Sequence, residues 1–178
     1  MSEGANTMDI GRTILSNSFP KHRLDAATFG TMGVGLASAI AAKGLYPDKK
    51  VICVLGDSAF GFSAMELETI ARYKLNMVVV IINNHGIARG SENVQTEKGQ
   101  PNTALANELM SFAAYEKVSH AFNGKGVAVK THEELDKALA EAMAEDALHV
   151  LNVFIDPDGT RKPQEFEWLT KTDDTAKL

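Results

Sequence analysis

Two short polar segments carry side chains that suit a hard metal ion. Asp57 follows the apolar run 51–55, and Asn84 follows a second apolar run, 77–82. A carboxylate, an amide oxygen and a backbone carbonyl at the glycine turn form an oxygen-only ligand set. Such a set suits Mg²⁺ or Ca²⁺, whereas the His/Cys spacing of a zinc site is not found nearby. Because three protein ligands underfill the Mg²⁺ octahedron, this pattern predicts a metal-bridged diphosphate site.

The segment between these residues indicates how they are positioned. An amphipathic stretch, 63–74, separates the two apolar runs, so the order is strand, turn, helix, strand, turn. Right-handed βαβ connections place the carboxyl ends of parallel strands at one sheet edge, so we expect Asp57 and Asn84 to lie side by side. The helix N-terminus there would add amides that bind phosphate. Ser63 with Glu66 predicts a capping box for this helix. Its buried stripe is expected to comprise Met65, Leu67, Ile70 and Ala71.

The segment 56–86 resembles the thiamine-diphosphate motif of thiamine-dependent enzymes. Its opening is Gly-Asp-Ser, with Ser58 where glycine is usual, and its closure is Asn-Asn. The longer strings GDSAFGFSAME, SEGANTMDIGR, DAATFGTMGVGLASAIAA and TRKPQEFEWLT resemble one branch, the 2-hydroxyacyl-CoA lyases and oxalyl-CoA decarboxylases. The resemblance covers nearly the whole chain. It implies a thiamine-diphosphate-dependent carbon–carbon lyase that cleaves 2-hydroxyacyl-CoA to formyl-CoA and a shortened aldehyde, with oxalyl-CoA decarboxylase as the alternative.

The resemblance also implies roles for individual residues. Mg²⁺ is expected to be held by Asp57, Asn84 and the Gly86 carbonyl. Met32 would press between the two rings of thiamine diphosphate, and the Gly30 carbonyl would accept a bond from the aminopyrimidine. The further cofactor contacts implied are Ala5, Asn6, Thr7, Gly56, Ser58, Ala59 and Ile87. Simpler interpretations stay open: Asn6 or Thr7 as a helix cap, Met32 as a core residue, and Gly30, Gly33 and Gly35 as sites of close packing.

Two features depart from the family. Close relatives carry a tyrosine two residues after Gly86, and here that residue is Ala88, which bears on substrate choice or activity. His85 is expected to be a loop residue and no metal ligand.

The family's glutamate, which drives the imino tautomer, lies on a pyrimidine-binding domain that is not found in this chain. We therefore expect a fragment of a longer enzyme, or a chain that works with a partner, and homo-oligomerisation when complete. A non-catalytic domain that binds thiamine diphosphate or a protein is a further alternative.

Composition is ordinary for a globular domain. The 178 residues are 44% hydrophobic and carry a net charge of −5, with no basic stripe for nucleic acid and no apolar run long enough for a membrane span. The single cysteine, Cys53, is expected to be a buried core thiol. Strands at 51–55, 77–83, 126–130 and 149–155 alternate with helices, which predicts a three-layer α/β domain with a largely parallel sheet over residues 1–155. The strand expected before 4–7 is either a weakly paired segment or missing.

The last segment, 156–178, is expected to be a polar tail. It ends in Ala176-Lys177-Leu178, a variant of the Ser-Lys-Leu peroxisomal address that an import receptor reads. The resemblance places this segment near the acyl-CoA site, so Arg161 or Lys162 is a candidate for contact with CoA phosphates. Peroxisomal location agrees with the lyase branch, which shortens 2-hydroxy fatty acyl-CoA by one carbon.

Overall fold

The computed structural model describes residues 1–91 and 105–159. These residues form a five-stranded sheet with helices on both faces. The strands are β1 Ser2–Glu3, β2 Ile52–Gly56, β3 Val78–Asn83, β4 Lys125–Val129 and β5 His149–Phe154. The helices are α1 Ala5–Ile14, α2 Gly35–Leu45, α3 Asp57–Ser63, α4 Glu66–Arg72 and α5 His132–Ala144, with a 3-10 helix at Tyr115–Phe122.

The sheet is parallel throughout, in the order β1-β2-β3-β5-β4. This confirms the predicted α/β class. The first strand is the short pairing that the sequence left open: Ser2 is opposite Val54 and Glu3 is opposite Leu55. Gly56 is opposite Ile82 in the β2–β3 pair. Because all strands run the same way, the residues that follow β1, β2 and β3 lie at one edge.

Two apolar clusters sit on opposite faces of the sheet. One is centred on Phe60, Leu67 and Ile70 of the helices after β2. The other packs Ala138 and Ala142 of α5 against the remaining face. The Cys53 thiol is fully buried in the first cluster, and burial raises its pKa to about 12. The predicted three layers and buried thiol are therefore confirmed.

The helix after β2 differs from the prediction. Instead of one helix over 63–74, α3 begins directly at Asp57, and α4 begins after a break at 64–65. The predicted capping box is wrong, because Ser63 ends α3 and Met65 is the residue before α4, with no side-chain cap. Met65 is also 68% exposed, so it does not belong to the buried stripe. The early start buries Ala59 and Phe60 against the sheet, and this packing outweighs the local capping signal.

Thr131 caps α5, since Glu134 N donates to its Oγ1 at 3.2 Å. Residues 105–114 are not helical, and the 3-10 helix follows them. Across the described part of the chain, no helix has the length and apolar character needed to cross a bilayer.

Candidate functional site

The carboxylate of Asp57 lies at the carboxyl end of β2 and joins two turns. Its side chain is buried, with 2% of the residue exposed. Oδ1 accepts a hydrogen bond from Ser58 N at 2.7 Å, and Oδ2 accepts one from Gly86 N at 3.0 Å. Burial raises the pKa of Asp57, opposed by these backbone N–H donors. The structure thus brings Asp57 against the turn that follows β3, as the sequence predicted.

The turn after β3 meets the first turn of α1 at one carbonyl, that of Ala88. Asn84 Nδ2 donates to Ala88 O at 3.1 Å, and Asn6 Nδ2 donates to the same oxygen at 3.0 Å. The Asn84 amide nitrogen is therefore engaged, and no described residue donates a hydrogen bond to its Oδ1. Ala88 has a left-handed backbone, with φ 68°, and its side chain is exposed. Asn6, Asn84 and Asp57 are consequently held around one corner of the sheet edge.

A buried polar network lies behind this turn, and the sequence analysis missed it. His85 N donates to Asn83 Oδ1 at 3.1 Å, and Asn83 Nδ2 donates to Asn152 Oδ1 at 3.1 Å. Asn152 Nδ2 in turn donates to Glu116 Oε2 at 2.8 Å. The His85 ring is buried beside Phe112, with ring centroids 4.7 Å apart, which is consistent with a loop residue. An asparagine inside the apolar strand β5 was the available signal.

The glycine-rich loop before α2 approaches the same corner. Met32 Sδ lies 3.9 Å from Ser58 Oγ, the residue after Asp57. Gly30 and Gly33 have φ values of 58° and 95°, a region that favours glycine. A Cβ atom on Gly30 would meet nothing within 4 Å, so packing does not account for the glycine there.

A second buried carboxylate, also missed from the sequence, holds this loop. Glu3 is fully buried, and its two oxygens accept hydrogen bonds from Gly33 N and Gly35 N. Burial raises its pKa, and these backbone bonds oppose the rise. The only sequence signal for Glu3 was an acidic residue at the end of the first strand.

The remaining predicted residues lie around these turns. α1 begins at Ala5 with Gly4 as the preceding cap residue, so neither Asn6 nor Thr7 occupies the cap position. The side chain of Ala5 is outside the described part. A Cβ on Gly56 would lie 3.3 Å from Thr7 Oγ1, which places Thr7 against the end of β2. Ala59 is buried, whereas Ile87 is 41% exposed.

The chemistry of this donor set fits a hard cation. Asp57 is buried, and no lysine, arginine or histidine in the described ranges forms an ion pair with it. Burying an ionised carboxylate without a cation is costly, so a metal ion would offset the charge. No cluster of three His, Cys, Asp or Glu occurs in residues 1–91 and 105–159. A metal here would therefore need amide and backbone oxygens, the ligand types that Asn84 and Gly86 carry.

The chain is similar to several known proteins over most of its length. Residues 3–153 match the family described as "Thiamine pyrophosphate enzyme, C-terminal TPP binding domain". The chain is 50% identical to 2-hydroxyacyl-CoA lyase 1 of Homo sapiens, over 97% of this chain and 32% of that protein. It is 48% identical to 2-hydroxyacyl-CoA lyase of Arabidopsis thaliana, over 88% of this chain and 28% of the relative. With oxalyl-CoA decarboxylase of Escherichia coli K12 the identity is 42%, over 88% and 27%.

A solved structure shares the fold. The Rhodococcus jostii RHA1 thiamine diphosphate-dependent 4-hydroxybenzoylformate decarboxylase aligns with a TM-score of 0.59 and 24% identity, over 74% of this chain and 24% of that one. The chain spans about a third of the length of the lyases it matches. Its match to the family over residues 3–153 shows that the chain belongs to the thiamine pyrophosphate enzymes, as their C-terminal TPP-binding domain.

Proposed function

We propose that this chain binds Mg²⁺–thiamine diphosphate as the diphosphate-anchoring part of a 2-hydroxyacyl-CoA lyase. The complete enzyme would cleave 2-hydroxyacyl-CoA to formyl-CoA and an aldehyde one carbon shorter. The observation that carries the proposal is the buried Asp57 carboxylate. It accepts a hydrogen bond from Gly86 N, and no lysine, arginine or histidine in the described part of the chain forms an ion pair with it. The identity of 50% to a 2-hydroxyacyl-CoA lyase, against 42% to an oxalyl-CoA decarboxylase, favours the lyase.

Each residue has a distinct task in this proposal. Asp57, Asn84 Oδ1 and the Gly86 carbonyl hold Mg²⁺, and the start of α1 at Ala5, Asn6 and Thr7 faces the diphosphate. Gly56, Ser58, Ala59 and Ile87 form the surroundings of the metal and diphosphate. The Gly30 carbonyl and the Met32 side chain orient the rings of the cofactor. When bound, thiamine diphosphate supplies the nucleophilic carbon for cleavage of the carbon–carbon bond, and the protein supplies binding and orientation.

The rest of the enzyme is also part of the proposal. A pyrimidine-binding domain, in the same polypeptide or in a partner, supplies the glutamate that acts on the cofactor, and the complete protein forms a homo-oligomer. Acyl-CoA is the substrate, and the location is peroxisomal. The residues behind the last two points, Arg161, Lys162 and the terminal tripeptide 176–178, lie outside the described residues. The division into a domain at 1–155 and a tail at 156–178 stays a prediction.

Cofactor binding is tested by thermal unfolding with Mg²⁺ and thiamine diphosphate. Ligand at about 100 Kd stabilises the folded state by about 2.7 kcal/mol, which for a domain of this size raises Tm by roughly 5–11 °C. We expect this rise for the unmodified chain, and its loss for Asp57→Asn or when EDTA replaces Mg²⁺. The matched control is Asp136→Asn on the exposed face of α5, which should keep the full rise. An equal rise in Asp57→Asn would remove the metal assignment.

Substrate class is tested by mixing the chain with a pyrimidine-binding domain from a related lyase and following formyl-CoA. Release from 2-hydroxyacyl-CoA and not from oxalyl-CoA is the expected result, and the reverse preference would assign the decarboxylase. Ala88→Tyr introduces the tyrosine that the resemblance implies at this position. Because Ala88 is exposed, we expect this substitution to change turnover while leaving Tm nearly unchanged. Binding of the cofactor without activity in any pairing would favour the non-catalytic alternative.

A further inference from the structure

The carboxylate of Glu3 has an unusual position for an acidic residue. It is fully buried at the carboxyl end of β1, and no lysine, arginine or histidine in the described ranges forms an ion pair with it. Its hydrogen bonds go to the backbone, with Gly33 N on Oε1 and Gly35 N on Oε2. Uncompensated burial of a carboxylate is expensive, and the backbone N–H donors of this loop stabilise the ionised form only in part. The position therefore calls for an explanation beyond packing.

Gly35 N is the first N–H group of α2, whereas Gly33 N lies in the loop, just before the cap residue of that helix. Val34, the cap residue of this 11-residue helix, makes no side-chain cap, so the first N–H groups lack a local partner. Glu3 fills that role from a different strand, and a carboxylate also suits the positive end of the helix dipole. The fit is close, because a Cβ atom on Gly35 would collide with Glu3 Oε2 and would lie 2.5 Å from Leu55 Cδ2.

The same loop leads to the candidate cofactor site. Met32 precedes Gly33 directly, and its Sδ lies 3.9 Å from Ser58 Oγ. Glu3 is paired with Leu55 in the sheet, two residues before Asp57. Glu3 therefore connects the loop that carries Met32 to the strand that ends just before Asp57, a predicted metal ligand.

We propose that Glu3 is a positioning residue: its carboxylate fixes the loop 30–35 and thereby places Met32 against the rings of the cofactor. This inference rests on the proposed binding of thiamine diphosphate. It assigns Glu3 to the ring end of the cofactor, whereas Asp57 and Asn84 act on the diphosphate end. The two ends are therefore separable by choice of ligand.

The binding test compares two ligands, thiamine diphosphate and inorganic pyrophosphate, each with Mg²⁺, by isothermal titration calorimetry. We expect Glu3→Gln to weaken thiamine diphosphate binding by about ten-fold, the equivalent of one well-placed interaction, and to leave pyrophosphate binding within about two-fold. Met32→Ala should show the same selectivity, and the double variant should add little to either. Glu141→Gln on α5 is the matched exposed control. Equal weakening of both ligands, or of neither, would overturn the proposal.

A second readout needs no ligand and separates this proposal from the proposed function. Hydrogen exchange should show the amides of Gly33 and Gly35 protected in the unmodified chain and exchanging at least about ten-fold faster in Glu3→Gln, with β3 unchanged. Unchanged exchange at these glycines, or a uniform rise across the sheet, would overturn the role of Glu3. If the unmodified chain bound neither ligand, the proposed function would fail and the exchange result alone would decide on Glu3. Glu3→Asp, which keeps the charge but shortens the side chain, serves the same readouts if Glu3→Gln does not fold.

Discussion

Asn152 is the residue whose loss we expect to cost most outside the apolar core. It is fully buried in β5, where Nδ2 donates to Ala113 O and Glu116 Oε2, both at 2.8 Å, and Oδ1 accepts from Asn83 Nδ2 at 3.1 Å. Asn152→Ala removes all three bonds. It leaves the buried Glu116 carboxylate without this donor, whereas Ala113 O keeps a longer bond from Asn83 at 3.4 Å. The loss of folding free energy should therefore come mainly from the missing hydrogen bond to Glu116.

The magnitude follows from these partners. A neutral hydrogen bond contributes about 1 kcal/mol and one to a charged group about 1.5–3 kcal/mol, so the sum is roughly 3.5–5 kcal/mol. For a domain of this size that corresponds to a fall in Tm of about 7–20 °C. Because Asn83 Oδ1 holds His85 N, the turn at 84–86 should also loosen, and binding of Mg²⁺–thiamine diphosphate should weaken.

Urea denaturation measures the free energy of unfolding for this variant. The control is Asn17→Ala in an exposed loop, and its free energy of unfolding should lie within about 0.5 kcal/mol of that of the unmodified chain. A double-mutant cycle with Glu116→Ala isolates the Asn152–Glu116 pair, and we expect a coupling energy of at least about 1 kcal/mol. A loss below about 1 kcal/mol for Asn152→Ala, or additive effects in the cycle, would refute the reasoning.

Three further substitutions test other parts of the structure. The Arg12 guanidinium, paired with Asp25 at 2.8 and 2.9 Å, lowers the pKa of Asp25 from 3.8 to about 2, so Asp25→Asn should lose about 1–2 kcal/mol at neutral pH. Since the folded-state pKa is the lower one, this difference should vanish as the pH falls from about 4 to 2, and a constant difference in urea titrations would contradict it. Gly90→Ala should cost about 1–3 kcal/mol and impair Mg²⁺-dependent cofactor binding, because its Cβ would collide with Asn84 O; retained stability and binding would contradict this contact. Ile87→Ala, at an exposed position, should leave the free energy of unfolding within about 0.5 kcal/mol but weaken cofactor binding, and unchanged affinity by calorimetry would remove Ile87 from the site.

The parts of the fold that depend on local patterns were predictable from sequence. The alternation of apolar runs and amphipathic stretches predicted the parallel sheet, and the ends of β2 and β3 placed Asp57 beside the turn at 84–86. The helix boundaries after β2 were not predictable in this way. Burial of Phe60 against the sheet required a helix that starts at the strand end, and this tertiary contact overrode the Ser63 cap.

The buried carboxylates of Glu3 and Glu116 could not be predicted from the sequence, for a different reason. Glu3 contacts a loop 30 residues away, and Glu116 contacts Asn152, 36 residues away. Sequence periodicity reports only contacts within one element, so it classes an isolated acidic residue as solvent-exposed by default. The candidate metal ligands had a motif to mark them, whereas the residues that hold the motif in place had none.

The position of Cys53 makes the chain suitable for studying how its sheet opens. It is the only cysteine of the chain and lies in β2, between β1 and β3, where no solvent reaches it. Burial raises the pKa of this thiol to about 12, so Cys53 does not react with alkylating reagents while the strands are closed, and it regains the reactivity of an ordinary thiol only when water reaches it. Pulse labelling with a thiol reagent would therefore count opening events at a single atom, without any engineered probe, and would show whether a bound ligand slows them.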